Sequence, residues 1–132
     1  MVRKLSAVEG LHEDVPYAYA TIVPAGAAVF TAGACPLDAD GRVVSPGDVE
    51  AQANHAIRNL LAVLEAAGCE PSDVVKTTVF VASTENADLV AAWRQVEGVF
   101  GRDGPPSTLV GVTVLGWPDQ LFEIEAVAAL PG

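Results

Sequence analysis

The last third of the chain contains the feature that most limits its fold, a pair of apolar strands that carries two carboxylates. The sequence predicts strands over residues 107–114 and 121–129. Two prolines lie directly before residue 107, and because proline has no N–H for a sheet ladder they fix where this strand begins. In the second strand apolar side chains alternate with Glu123 and Glu125, so the two carboxylates lie on one face about 6–7 Å apart.

Upstream of this pair, hydrophobic periodicity predicts three further strands and two helices. Period-two and β-branched runs favour strands at residues 18–23, 28–34 and 74–82, and the link at 24–27 favours a hairpin between the first two. Helical spacing of apolar residues predicts a second helix over residues 86–100, which Gly101 ends. Together with the long first helix, the order β-β-α-β-α-β-β predicts an α+β fold with one mixed sheet and two helices on one face.

The first helix is the element that the sequence specifies most completely. Ser45 is predicted to cap it, Pro46 suits its first position, and Asp48 lies in the favourable first turn. Apolar residues then recur at helical spacing until Gly68, which can adopt the left-handed conformation that ends a helix.

The central strand predicts that the sheet is covered on both sides. In residues 74–82 the side chains are apolar on both faces, with Val75, Val79 and Val81 opposite Val74 and Phe80. A strand with one solvated face normally alternates between apolar and polar residues. Because two helices cover only one face, a second copy of the chain is the simplest cover for the other, and we expect a homo-oligomer.

Composition limits the function classes. A length of 132 residues predicts a single domain over 1–132, and no apolar run approaches the ~20 residues of a membrane helix. The first ten residues lack the apolar stretch of a signal peptide, so we expect the protein in the cytoplasm. Its net charge is −10, and its seven basic residues form no cluster, so nucleic acid is a poor partner. Those residues are Arg3, Lys4, Arg42, Arg58, Lys76, Arg94 and Arg102.

Few side chains are candidates for a catalytic or metal-binding role. Glu123 is the stronger candidate for an acid or base, since burial in an interface would raise the pKa of a carboxyl group, and Glu125 is the weaker one. Cys35 and Cys69 are expected to be free thiols without an activating histidine. No metal-ligand spacing and no nucleotide-binding or hydrolase motif is present, so the sequence predicts neither a metal nor a cofactor. Trp117, in a loop, is equally consistent with a pocket lid and an oligomer contact.

Several segments in order resemble the RidA/YjgF family of small trimeric proteins. They are Pro16-Tyr17, VFTAGACPLD at 29–38, GDVEAQANHAIRNLLAVLEAAG at 47–68, DVVKTTVFV at 73–81 and FEIEAVA at 122–128. The resemblance implies a chorismate-mutase-like fold, a homotrimer whose sheet faces pack together, and small-molecule pockets between subunits. It also implies hydrolysis of reactive enamines and imines, with Tyr17, Gly33 and Glu123 lining the pocket and the glutamate placing the attacking water.

Two positions depart from the family's deaminating members. These members carry an arginine that holds the substrate carboxylate, and Ser107, followed by Thr108, stands in its place. A pocket asparagine of the second helix corresponds to Trp93. We therefore expect an altered ligand oriented by Tyr17, Ser107 and Thr108. The alternatives are a non-catalytic metabolite-binding module and, less favoured by the charge, an endoribonuclease. Whether Arg58, Arg94 or Arg102 replaces the arginine is open at this level.

Overall fold

The computed structural model describes residues 2–132 and contains six strands and two α-helices in that range. In chain order the elements are β1 (Arg3–Leu5), β2 (Ala20–Ile22), β3 (Ala28–Phe30), α1 (Val49–Ala66), β4 (Val74–Ala82), α2 (Asn86–Phe100), β5 (Ser107–Val112) and β6 (Phe122–Ala129).

The main sheet has four strands in the order β3-β6-β4-β5 and is mixed, as the sequence predicts. β6 runs antiparallel to both of its neighbours, and β4 and β5 are parallel because α2 forms the crossover between them. Both helices pack on one face, where α1 contacts β6 and α2 contacts β4 and β5. The α+β class, the mixed sheet and the single helical layer are therefore confirmed.

The hairpin predicted between the second and third strands is wrong. β2 pairs instead with β1, as a separate antiparallel ribbon, and β3 pairs with the distant strand β6. Thr21 Oγ1 donates a hydrogen bond to the Val75 carbonyl at 3.0 Å, which holds β2 near the start of β4. Local turn residues favour a hairpin, but each strand finds a better partner elsewhere, and β3 is also three residues long instead of seven.

The N-cap of helix α1 lies three residues after the predicted one. It is Asp48, whose Oδ1 accepts the Ala51 N–H at 3.0 Å, while Ser45 has a φ of +45° in the turn before it. A carboxylate at the helix N-terminus satisfies a free N–H and also interacts favourably with the helix dipole. The predicted end at Gly68 is confirmed by its φ of +85°.

The core lies between the helices and the inner face of the sheet. Ile57, Leu60 and Leu64 of α1 pack there against Phe122 and Ile124 of β6, and all five are buried. Each such side chain stabilises the fold by about 1.5–3 kcal/mol.

At the start of β4, buried and partly exposed side chains do not alternate strictly. Val74, Thr77, Val79 and Val81 face the core, because a β-bulge between Val74 and Lys76 shifts the register against β6. The prediction that Val74 lies on the face opposite to Val79 and Val81 is therefore wrong.

No α-helix covers the outer face of the sheet. Phe80, Glu123 and Glu125 lie half-buried on it, and Phe30 at its edge is 76% exposed. None of the helices described in residues 2–132 has the length and apolarity to cross a bilayer.

Candidate functional site

Glu123 lies on the outer face of β6 with one carboxylate oxygen held by two donors. Gln120 Nε2 donates to Glu123 Oε1 at 3.1 Å, and Cys35 Sγ donates to the same oxygen at 3.3 Å. Within the described part of the chain, Oε2 accepts no hydrogen bond from protein. The carboxylate is therefore fixed through one oxygen and leaves the other for a water molecule or a ligand.

Gln120 is the residue that orients this carboxylate, and it is only 3% exposed. Its Oε1 accepts the Trp117 N–H at 3.1 Å, and its Nε2 also donates to the Phe122 carbonyl at 3.0 Å. Because the backbone N–H of Trp117 can only donate, the amide group must present its nitrogen to Glu123. The loop before β6 thereby determines the position of the candidate catalytic group.

Gly33 is the position where only glycine fits against Glu123. A Cβ atom placed on Gly33 would lie 2.2 Å from Glu123 Oε2. The backbone at Gly33 therefore lies so close to the free carboxylate oxygen, Oε2, that no residue with a side chain fits there. A cleft of about 380 Å³ adjoins this point, lined by Gly33, Cys35, Asn59 and Trp117 among others, and Trp117 is 48% exposed at its border.

Cys35 is a hydrogen-bond donor here and not a nucleophile. Burial, followed by the hydrogen bond to Glu123 and its negative charge, raises the pKa of the thiol to about 11. The thiol therefore stays protonated near neutral pH and can donate to the carboxylate. Asn59 Nδ2 donates to the Cys35 carbonyl at 2.9 Å and fixes this segment against α1. Both cysteines are free, as predicted.

Alkylation of Cys35 measures the effect of the Glu123 carboxylate on the thiol pKa without any substrate. With a pKa of about 11, about one Cys35 thiol in a thousand is ionised at pH 8, and we expect iodoacetamide to label it slowly. Glu123→Gln removes the negative charge but not the burial, so labelling should accelerate about three- to tenfold. Mass spectrometry of the peptide that contains Cys35 gives the rates. Glu125→Gln should match the wild type, and fast labelling of the wild-type thiol at pH 8 would contradict this geometry.

A second group of predicted residues meets at the edge strand β5. Tyr17, Trp93 and Ser107 line a cleft of about 280 Å³ together with Pro16 and Leu109. The rings of Tyr17 and Trp93 lie edge to face with centroids 6.4 Å apart. Trp93 Nε1 is buried and finds no hydrogen-bond partner within residues 2–132. This cleft is therefore aromatic, with hydroxyl groups at its border.

Ser107 and Thr108 are each held by a neighbouring side chain of β4. Thr77 Oγ1 donates to Ser107 Oγ at 2.7 Å, and Lys76 Nζ donates to Thr108 Oγ1 at 2.7 Å. Since successive strand residues point to opposite faces, Ser107 shares the helix side with Thr77, whereas Thr108 lies on the other face. Both residues also border a larger cleft of about 470 Å³.

One copy of the chain does not bring all the predicted site residues together. Glu123 meets Gly33, which lines the cleft of about 380 Å³. The other predicted residues, Tyr17, Trp93, Ser107 and Thr108, line the two clefts at β5. Sequence reasoning missed Gln120 and Lys76. Gln120 lies in a loop without periodicity, and Lys76 follows a bulge that no sequence pattern marks.

The arginines considered as substitutes for the missing one lie elsewhere. Arg102 forms an ion pair with Asp14 and approaches Glu97. Arg58 Nη2 lies 3.3 Å from His55 Nδ1, on the solvent-exposed side of α1. Arg94 is exposed on α2. The residues that line the clefts at Ser107 include none of the three.

The mixed four-stranded sheet with one helical layer is shared with solved structures of Rid-type proteins. The Rid-family protein YyfB of Yersinia pestis, a protein of unknown function, superposes with a TM-score of 0.87 at 31% identity over 98% of both chains. A putative endoribonuclease from Thermotoga maritima gives 0.72 at 32% identity, covering 99% of this chain and 97% of its own.

Sequence comparison agrees with the structural one. The family model described as endoribonuclease L-PSP matches residues 12–130. A 2-iminobutanoate/2-iminopropanoate deaminase of Salmonella typhimurium is 37% identical over 124 residues, covering 88% of this chain and 92% of the relative. The chain therefore belongs to the endoribonuclease L-PSP family, which is the RidA/YjgF family.

Proposed function

We propose that the protein is a homotrimeric hydrolase that converts a small imine or enamine into a carbonyl compound and ammonia. The observation that carries this proposal is the carboxylate of Glu123, fixed through Oε1 by two donors while Oε2 stays available beside Gly33. The similarity to imine deaminases supports the same reaction class.

The chemistry requires one carboxylate and one water molecule. Glu123 accepts a proton as the water oxygen bonds to the imine carbon, and this proton passes to the nitrogen. The hydroxyl proton of the resulting carbinolamine then moves to the nitrogen as the C–N bond breaks, which releases ammonia and leaves the carbonyl group. A carboxylate fixed in advance loses little conformational entropy at this step, and the proposed role needs no cofactor.

The proposed site forms between copies of the chain. The cleft at Gly33, the residue that approaches Glu123, and the cleft at Tyr17 and Ser107 are separate in one copy, and the outer sheet face has no helical cover. Packing these faces together in a trimer would bury apolar area and could place the two clefts opposite each other. The cytoplasmic location and the single domain stay predictions from the sequence.

Phe30→Asp tests this assembly. Phe30 is 76% exposed on the outer face, so a carboxylate there should prevent trimer packing and yield monomers in sedimentation velocity at micromolar concentration. Val90→Asp, at a 48% exposed position of the helical layer, should remain trimeric. Wild-type protein that sediments as a monomer would contradict the trimer.

Ammonia and keto-acid release from an enamine generated in situ tests the reaction. We expect turnover by the wild type with a high KM for carboxylate-bearing enamines, because Ser107 lacks the charge and the two donors of an arginine. Ser107→Arg should lower that KM about tenfold or more, since hydrogen bonds to charged groups contribute about 1.5–3 kcal/mol. Silence of both proteins under conditions where an active relative turns over would contradict the hydrolase.

The second candidate function is a non-catalytic metabolite-binding module that uses the same pocket. It is favoured by Trp93, whose ring borders the cleft at Ser107. A ligand that binds equally to the wild type and Glu123→Gln, without turnover by either, would support it. The endoribonuclease reading is less favourable because a chain with a net charge of −10 repels a phosphate backbone.

A further inference from the structure

An apolar cleft lies beside Gly33, the residue that approaches Glu123, and the proposed reaction gives it no role. This is the cleft of about 380 Å³, which the segment after β3 lines together with α1. Within the described range 2–132, none of its lining residues is charged. Its apolar lining consists of Ala32, Ala34, Leu37, Leu60, Val63 and Trp117. In a chain with a net charge of −10, an uncharged cleft of this size suits an apolar group better than an ion.

Trp117 connects this cleft to the candidate catalytic carboxylate. Its side chain borders the cleft, whereas its backbone N–H donates to Gln120 Oε1 at 3.1 Å. The nitrogen of the same amide group donates to Glu123 Oε1 at 3.1 Å. A molecule in the cleft would therefore contact the residue whose backbone helps to hold the orientation of Glu123.

Two further lining residues touch Glu123 directly. Cys35 Sγ donates to its Oε1 at 3.3 Å, and the Gly33 backbone lies against its Oε2, the oxygen proposed to activate water. The carboxylate itself does not line the cleft, so the cleft is a neighbouring space and not the place of the reaction. The imine carbon that the water attacks carries a substituent, and this adjacent uncharged space can receive it.

Apolar surface at the cleft is exposed to water in one copy of the chain. Trp117 is 48% exposed and Val63 is 50% exposed. Removing such surface from water is favourable, and each methylene buried there strengthens binding about fourfold. A ligand group of several carbons therefore gains much more from this cleft than a methyl group does.

We propose that this cleft binds an apolar substituent of the substrate, and that Trp117 is the residue that selects substrates with a branched aliphatic or aromatic group. This inference rests on the proposed function and adds a specificity-determining residue to the same site. The indole ring supplies a large, rigid contact surface for such a group. Because the backbone of the same residue holds Gln120, the substituent is recognised next to the group that positions Glu123.

Binding of two unreactive 2-oxo acids that carry the same charge tests the proposal. Pyruvate has a methyl substituent, and 4-methyl-2-oxopentanoate has the larger isobutyl group. In isothermal titration calorimetry at constant ionic strength, we expect the larger acid to bind the wild type at least about tenfold more tightly. Trp117→Ala should reduce this preference to about threefold or less, whereas Trp117→Phe should keep most of it.

Val63→Phe tests the cleft from the side of α1 without a change at Trp117. A phenyl ring at this position would occupy part of the cleft, so the preference for the larger acid should fall about tenfold. Val114→Ala is the control, because Val114 is 74% exposed in the same connection between β5 and β6 as Trp117 but does not line the cleft. This control should keep the wild-type preference.

Three results would overturn the proposal. The first is a wild type without preference for the larger acid, including failure of both acids to bind at millimolar concentration. The second is an unchanged preference in Trp117→Ala or in Val63→Phe. The third is a Trp117→Ala protein that sediments as a monomer, which would assign the ring to an oligomer contact. The first comparison uses the wild type alone, so it stands even if a variant fails to fold.

Enamine turnover separates this proposal from the hydrolase. A preference that depends on Trp117, without turnover of any enamine, refutes the hydrolase and keeps the apolar subsite. Turnover with a KM that does not depend on the size of the substituent keeps the hydrolase and refutes the subsite.

Discussion

Glu123→Gln is expected to lower kcat for enamine hydrolysis about 10²- to 10⁴-fold, the range of a lost general base. The amide keeps the size of the side chain, and its oxygen can still accept from Gln120 Nε2 and Cys35 Sγ. What disappears is the proton acceptor at the position of Oε2. KM should change little, because no substrate contact depends on the charge of this group in the proposed mechanism.

Glu125→Gln is the matched control for that result. Glu125 lies two residues further along β6, on the same outer face, and pairs with Thr78 of β4. It has the same chemistry, strand and change in net charge as Glu123, but it makes no contact with Gln120 or Cys35 among the side-chain hydrogen bonds of residues 2–132. Initial rates of ammonia release from both variants give the comparison. Equal losses in the two would show that the effect comes from the outer face in general, and would remove Glu123 from its proposed role.

Gln52→Leu is expected to lower the free energy of unfolding by about 3 kcal/mol, the largest stability effect predicted here. Gln52 is fully buried in α1 and connects the helix to two loops. Its Oε1 accepts the Leu121 N–H at 2.7 Å, and its Nε2 donates to the Asp119 carbonyl at 2.9 Å and to the Ser45 carbonyl at 3.3 Å. Leucine leaves these buried groups without partners, at a cost of about 1–3 kcal/mol for each group that water cannot reach.

The unfolding experiment needs a fixed protein concentration, because an oligomer gains apparent stability by mass action. Urea denaturation of the wild type and Gln52→Leu at one concentration gives the difference, and Asn54→Leu serves as the control on an exposed position of the same helix. The control should stay within about 0.5 kcal/mol of the wild type. Since Gln52 also holds the segment that precedes Gln120, we expect the orientation of Glu123 to loosen as well. A Gln52→Leu protein as stable as the control would show that these hydrogen bonds contribute little.

The fold was predictable from the sequence where periodicity and burial reinforce each other. Helix α2 and strand β4 match their predicted bounds at residues 86–100 and 74–82. The predictions that failed depend on competition between partners. Residues 24–27 favour a hairpin locally, yet β3 pairs with β6, which adds it to the four-stranded main sheet, and β2 pairs with β1. At α1, Asp48 replaces Ser45 as the cap since its carboxylate reaches the Ala51 N–H.

For the candidate site, the sequence predicted individual residues but not the contacts between them. Resemblance to the family named Gly33 and Glu123, but it gave no physical reason for their pairing. The reason is that the backbone of Gly33 lies close to the Glu123 carboxylate. A Cβ atom at residue 33 would be 2.2 Å from Glu123 Oε2, which is too close for any side chain. Nothing in the sequence indicated that Gln120 orients Glu123, because this role depends on three hydrogen bonds of its buried amide group.

By itself the sequence determined the α+β class, the two-sided apolar strand β4, and the presence of two carboxylates on one face of β6. These follow from the period of side chains along a strand or helix, which is a local property of the backbone. Only the tertiary structure decided which oxygen of Glu123 is held and which is free, and that Lys76 and Ser107 border the same cleft. Such contacts join residues far apart in the chain, so they depend on register, on a bulge and on packing, which no local pattern specifies.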